Sequence, residues 1–270
     1  MSKGKLIGKG MTAEVYEWER DRVLKLYFER FSDEWIAHEA KVGSILNDAG
    51  APSPKTFGLT EVDGRKGLII ERIYGKSIMK HLETEPWKLF YYAKKIAALQ
   101  YQIHGCTAEG LPSQEERFLT TMKRASRILG DRIPRIMEYI QRLPNPKSIC
   151  HGDLHFKNIM DTDGKLVAID WNSAYLGDPL SDVARTCIIM KSPSIPDGIS
   201  EIMSIPIMYT KWLTYSTFVS EYMKIAKVKI EDIEAWMLPA AASRLKDKIP
   251  GETKWLMDMI DKRLDKLKKT

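Results

Sequence analysis

The hydrophobic period of this chain changes once, at about residues 71–76, and that change restricts the folds open to it. Before it, most of the sequence reads as strands; after it, apolar residues recur at the three- and four-residue spacing of helices. Val15-Tyr16-Glu17-Trp18 and Arg22–Phe28 flank Glu19-Arg20-Asp21, which predicts a hairpin rich in β-branched and aromatic residues. Ser32 or Asp33 can cap a helix running to about Asp48, with Trp35, Ile36, Val42, Ile45 and Leu46 on one face. Gly50, Pro52 and Pro54 stop it. Two further strands, near 55–62 and 67–71, are joined through Asp63-Gly64, a strong turn dipeptide. Helical patterns then occupy 86–104 (stopped by Gly105), 113–129, 131–143, the segment after Asp178, and most of 199–268. The expectation is an α+β chain of two lobes: a small antiparallel-sheet lobe over 1–73 and a larger helical lobe over 74–270. A ligand crevice is expected between them.

Within that frame the most informative stretch is His151-Gly152-Asp153-Leu154-His155-Phe156-Lys157-Asn158, followed by Val167-Ala168-Ile169-Asp170. It supplies a carboxylate, an amide five positions on, and a second carboxylate after a short apolar run. Phosphoryl transfer from a nucleotide asks for this set: Asp153 to orient the attacking hydroxyl, Asn158 and Asp170 as oxygen ligands for Mg2+. At neutral pH an ordinary aspartate is ionised and a feeble base, so orientation is the role open to Asp153. His151 and His155 stand four apart, but Gly152 and the loop-like composition argue against a helix that would aim both at a metal. Loop scaffolding, each with a backbone or carboxylate partner, is the preferred reading.

Gly8-Lys9-Gly10-Met11-Thr12 lies between two predicted strands; Gly8 and Gly10 would let backbone N–H groups approach phosphate, and Thr12 can add a hydrogen bond. No Gly-Lys-Ser/Thr opens a helix, so this is not a Walker loop. Lys25 sits mid-strand with its direction left open by Val23 and Leu24; a place on nucleotide phosphates, held by Glu39, is the functional alternative to a solvated lysine. Asp178-Pro179 reads as a helix start, with Asp182 in the first turn where the helix dipole favours a carboxylate. The stripe Met208, Tyr209, Trp212, Tyr215, Phe218 and Tyr222 has helical spacing and is expected to be mostly core, with a wall of the acceptor pocket as the alternative.

Bulk properties narrow the setting. The start lacks the apolar core of a signal peptide and no run is long enough to span a bilayer, so a cytoplasmic protein is expected. Cys106, Cys150 and Cys187 share no metal-ligand spacing and read as free thiols. The net charge of +6 is concentrated locally only in Lys262–Lys269, where apolar residues at helical spacing suggest a solvated helix face; no nucleic-acid partner is expected.

The residues His151–Asn158 carry a His-Gly-Asp-Leu-His-x-x-Asn run, and with them the chain resembles the aminoglycoside phosphotransferase and choline kinase family over roughly residues 5–190. The resemblance implies a bilobal protein-kinase-like fold, ATP and Mg2+ as cofactors, and a hydroxyl of a small molecule as acceptor. It implies Asp153 as the catalytic aspartate, Asn158 and Asp170 as magnesium ligands, Lys25 paired with Glu39, and backbone groups of Glu71 and Ile73 around adenine. It also matches Asp182 to a residue supporting the catalytic loop and His104 to a helix-end histidine. Asp170-Trp171-Asn172 stands where protein kinases have Asp-Phe-Gly, and no Ala-Pro-Glu follows. An atypical Ser/Thr protein kinase and a catalytically silent nucleotide-binding module are the alternatives.

Overall fold

The computed structural model describes residues 3–195 and 201–268. The N-terminal sheet is built from β1 (Leu6–Lys9), β2 (Ala13–Glu17), β3 (Arg22–Tyr27), β4 (Thr56–Val62) and β5 (Arg65–Glu71), in the antiparallel order β1-β2-β3-β5-β4. Its tight turns carry the residues that positive φ demands: Asp63 at 53° and Gly64 at 70° between β4 and β5, and Asp21 at 60° before β3. Helix α1 (Asp33–Asp48) crosses from β3 to β4, capped by Ser32, whose hydroxyl accepts the Trp35 N–H at 3.3 Å.

Both faces of this sheet are covered. Leu24, Leu26 and Val62 form one buried cluster, while Tyr27, Ala13, Leu68 and Ile36 of α1 form another. Period-two alternation puts Lys25 on the same face as Tyr27, toward α1. Because β3 is buried on both sides, its apolar pattern is continuous and could not reveal that direction.

The rest of the chain is mainly helical. It runs through β6 (Lys76–Ser77), α2 (Ile78–Thr84), α3 (Leu89–His104), α4 (Gln114–Arg124), α5 (Ser126–Leu129) and α6 (Arg132–Gln141). Short strands follow: β7 (Ser148–Cys150), β8 (Ile159–Thr162), β9 (Lys165–Ala168) and β10 (Tyr175–Gly177). Strand β7 pairs with β10, and β8 joins β6 and β9, so the segment 151–158 hangs between two small sheets. Then come α7 (Pro179–Lys191), α8 (Glu201–Ala226), α9 (Ile230–Ala235), α10 (Met237–Arg244) and α11 (Glu252–Leu267). One continuous apolar core joins α3, α4, α7, α10 and α11, and it also takes in Val42 and Leu46 from the C-terminal half of α1. That packing ties the helix carrying Glu39 to the larger lobe.

Two expectations are corrected. The predicted helix over 113–129 breaks at Ala125, whose φ of −103° and ψ of 12° separate α4 from α5. The break leaves the apolar period intact, so the sequence pattern does not register it. In the aromatic stripe, Phe218 and Tyr222 are buried, but Tyr209 and Trp212 are 60% and 54% exposed and stack on each other at 6.0 Å. Helical spacing alone did not mark where α8 leaves the core. The basic segment lies on α11, which buries Leu256, Ile260 and Leu264; Lys269 lies outside the described residues.

Candidate active site

The segment between β7 and β8 is shaped by Gly152 and anchored by Asp182. Gly152 has φ +76°, and a Cβ there would stand 2.3 Å from the carbonyl oxygen of Ser173. Any side chain would therefore force the backbone apart as well as strain it. Gly152→Ala is expected to cost at least about 2 kcal/mol, read as a lowered midpoint in chemical denaturation. An unchanged midpoint would mean that the loop does not need this turn.

Asp178 caps α7, accepting the Leu180 N–H at 2.7 Å, and Pro179 takes the first helical position. Asp182 then lies fully buried beneath the loop. Its Oδ1 accepts the Gly152 N–H at 2.7 Å; its Oδ2 accepts the His151 N–H at 3.1 Å and the Gln100 Nε2 amide at 2.9 Å, with His104 Nε2 at 3.2 Å. Burial pushes its pKa up, but the His104 hydrogen bond and charge, with His151 and Gln100, outweigh that and hold it at about 2. His104 is itself fixed through Nδ1 to the Tyr222 hydroxyl at 2.7 Å.

His151 is buried, and burial pushes its pKa down, keeping the imidazole neutral. Its Nε2 lies 3.1 Å from the Ile169 carbonyl and so donates, while Nδ1 accepts the Asp153 N–H at 3.3 Å. The ring packs on Trp171 at 4.5 Å. His155 Nε2 lies 3.6 Å from Asp153 Oδ2. The two histidines thus have the backbone and carboxylate partners expected of scaffolding.

Asp153 is 31% exposed at its side chain, and its Oδ1 accepts Nη2 of Arg185 at 2.9 Å. Burial raises its pKa, yet His155 and Arg185 together hold the carboxyl well below the usual range. Asn158 Nδ2 donates to the Asp153 carbonyl at 3.1 Å, which leaves the amide oxygen of Asn158 without a protein partner. The Asn158 carbonyl accepts the Ile169 N–H at 2.8 Å, bringing the start of the Asp170 segment against the loop. Asp170 is exposed and adopts φ +64°, a left-handed conformation that Asp tolerates better than most residues.

Asn172 connects this segment to the sheet. Its Nδ2 lies 2.9 Å from Asp170 Oδ1 and 3.1 Å from Glu39 Oε2, while Glu39 Oε1 receives Lys25 Nζ at 2.5 Å. Lys25, Glu39, Asn172 and Asp170 therefore form one polar chain across the lobes. At the sheet's edge Gly10 N–H bonds the Ala13 carbonyl at 2.9 Å, leaving Met11 86% exposed at the turn. Neither Gly8 nor Gly10 has positive φ, and an added Cβ would meet nothing nearer than 3.7 Å, so the fold itself does not require glycine at either position. Thr12 offers its carbonyl to the Phe28 N–H at 3.1 Å. In the connector, Glu71 commits its N–H to the Lys55 carbonyl at 2.8 Å, whereas the Ile73 N–H has no backbone partner.

Among the described residues no three His, Cys, Asp or Glu side chains are grouped to hold a metal. A cation beside Asp170 and Asn158 would have one carboxylate and one amide oxygen, completed by phosphate and water. That donor set suits magnesium, which rarely uses an all-protein cage. Arg185 and Asn172 were not singled out in the sequence. For Arg185 a signal existed: it lies three positions after Asp182 on a helix otherwise buried from Ser181 to Ile188, where a charge needs a partner.

A model of the phosphotransferase enzyme family (APH) matches residues 3–199. The chain belongs to that family. Its fold is that of solved phosphotransferases and kinases of small molecules. A streptomycin–ATP complex of APH(2'')-IIa superposes with a TM-score of 0.56 at 15% identity, over 93% of this chain and 88% of the other. Choline kinase from Cryptosporidium parvum gives 0.57 at 16% identity, over 98% and 88%. The choline/ethanolamine kinase family protein from Mesorhizobium loti gives 0.56 at 15%, also over 98% and 88%. By sequence, the chain is 26% identical over 185 residues to acyl-CoA dehydrogenase family member 10 of Mus musculus, covering 59% of this chain but 17% of that protein. No described helix of this family member is long and apolar enough to cross a membrane.

Proposed function

We propose that this phosphotransferase moves the γ-phosphoryl group of ATP to a hydroxyl of a small molecule, with Mg2+. The observation that carries the reading is a run of bonds through these segments: Asn158 donates to the Asp153 carbonyl, the Ile169 N–H beside Asp170 donates to the Asn158 carbonyl, and Asn172 joins Asp170 to Glu39 and Lys25. The carboxylate of Asp153, kept ionised by Arg185 and His155, accepts and orients the acceptor hydroxyl. Lys25 supplies a positive charge to the nucleotide phosphates, and Glu39 keeps it in place. Gly8 at the end of β1 and Gly10 in the turn after it leave this edge of the sheet open to a phosphate, and the Ile73 N–H is free to bond adenine from the connector. Asn158 and Asp170 are the residues that would hold magnesium, whose bound charge offsets that of the phosphates. The APH(2'')-IIa relative was solved with ATP and streptomycin, which supports a nucleotide donor and a hydroxylated small-molecule acceptor here.

Asp170→Ala is expected to weaken magnesium–nucleotide binding about tenfold or more, in line with loss of a charged ligand contact, with calorimetric titration as the measurement. Equal affinities would remove Asp170 from the metal site. The acceptor itself is accessible to a coupled ADP-release screen over aminoglycosides, choline, ethanolamine, fructosamines, homoserine and methylthioribose. An acceptor-dependent rise in ADP supports the reading; ATP binding without release on any alcohol sinks it.

A further inference from the structure

Asp170 is exposed and sits at φ +64°, and among the described residues a single side chain bonds its carboxylate. That side chain is Asn172, two positions on. Its Nδ2 carries two N–H groups, and they go to two carboxylates: Asp170 Oδ1 at 2.9 Å and Glu39 Oε2 at 3.1 Å. An ionised carboxylate only accepts, so the amide nitrogen must face both. The amide oxygen is then left buried and without a partner. An orphaned buried acceptor is unfavourable, and a residue that merely filled a turn would have no reason to keep one. Glu39 is itself well fixed: it lies on α1, its side chain is 11% exposed, and its other oxygen holds Lys25 at 2.5 Å. Val42 and Leu46 seat the same helix in the large core. Asn172 thus moors an exposed carboxylate, on a turn with left-handed backbone, to a packed helix.

We propose that Asn172 is a positioning residue for the magnesium site, holding the Asp170 carboxylate in place through Glu39. The inference rests on the reading of Asp170 as a magnesium ligand. A ligating carboxylate binds its metal more tightly when a hydrogen bond has already fixed its direction, and losing such a bond commonly costs about 10–100-fold in metal affinity. The amide also keeps two like charges side by side without adding a charge of its own. Because its oxygen is buried, Asn172 acts through Asp170 and is not itself offered to the cation.

The test compares ATP affinity by calorimetry in magnesium and in excess EDTA; the ratio is the gain that the metal supplies. Asn172→Ala is expected to cut that gain about tenfold, the lower end of the range for such a bond, and to leave the affinity for metal-free ATP unchanged. A purely structural role would lower Tm and leave the gain as it was. Glu39→Ala is expected to lower both quantities, because Lys25 and Asn172 lose the same anchor, and adding Asn172→Ala to it should cut the gain no further. If Asn172→Ala does not fold, Glu39→Ala decides. An undiminished gain in either variant would overturn the proposal. Asp170→Ala keeps the two questions apart. A gain lost there but kept in Asn172→Ala removes only the positioning role; a gain kept in both, or absent from the unaltered protein, removes the metal site with it.

Discussion

Asp153→Ala is expected to slow phosphoryl transfer by about 10²–10⁴-fold, the range for a positioned catalytic side chain, while nucleotide affinity is unchanged. The separation follows from the geometry. Asp153 contacts Arg185 and His155 and presents a partly exposed carboxylate, whereas the residues proposed for nucleotide and metal are Lys25, Asn158 and Asp170. Its pKa is held well below the usual range, so Asp153→Asn keeps the shape and removes only the charge. It should therefore lose activity nearly as severely as the alanine variant. Steady-state rates beside calorimetric ATP binding measure both quantities. A variant that turned over at near the original rate would take Asp153 out of the reaction; one that lost ATP as well would place it in the wrong subsite.

Asp182→Ala is expected to be the most destabilising of the substitutions considered, at about 3–5 kcal/mol, the cost of removing one partner from a buried charge-assisted network. The His151 and Gly152 N–H groups, Gln100 and His104 would all lose their acceptor at once. At about 2–4 °C per kcal/mol for a chain near this size, Tm should fall by about 10 °C, and activity with it, because the loop carrying Asp153 is hung from this carboxylate. The same group makes a pH prediction. Its pKa is held at about 2, below the ordinary 3.8, so its stabilisation is present above that ordinary value and is lost as pH falls from about 4 toward 2. Urea midpoints across that range should decline in the unaltered protein and decline less in Asp182→Asn. Parallel declines would show that other carboxylates carry the acid sensitivity.

The fold was legible wherever an element was long enough to show a period. The hairpin around Asp21, helix α1 with its Ser32 cap, and α3 ending at His104 all correspond to expected segments. Strands β6 to β10, each of two to four residues, and the seven-residue α2 were too short to register. At the site, His151–Asn158 and Asp170 announced themselves because chemistry and spacing coincide within one stretch. Asn172 did not, since its bond to Glu39 spans 133 positions and nothing local distinguishes it from a loop amide. Arg185 reaches Asp153 over 32 positions and Asp247 over 62, and Asp247 sits in a part of the chain where no motif could flag it. Tyr209 and Trp212 failed in the opposite direction: an apolar stripe specifies a face of α8 but not how far the core extends along it.

The most direct measurement follows the label of [γ-³²P]ATP in the presence of Mg2+ and a mixture of hydroxylated metabolites, with products separated by mass. The account predicts radioactivity in a low-mass alcohol phosphate, dependent on the acceptor and lost in Asp153→Ala. Label confined to protein, or none moved despite measurable ATP binding, would contradict it.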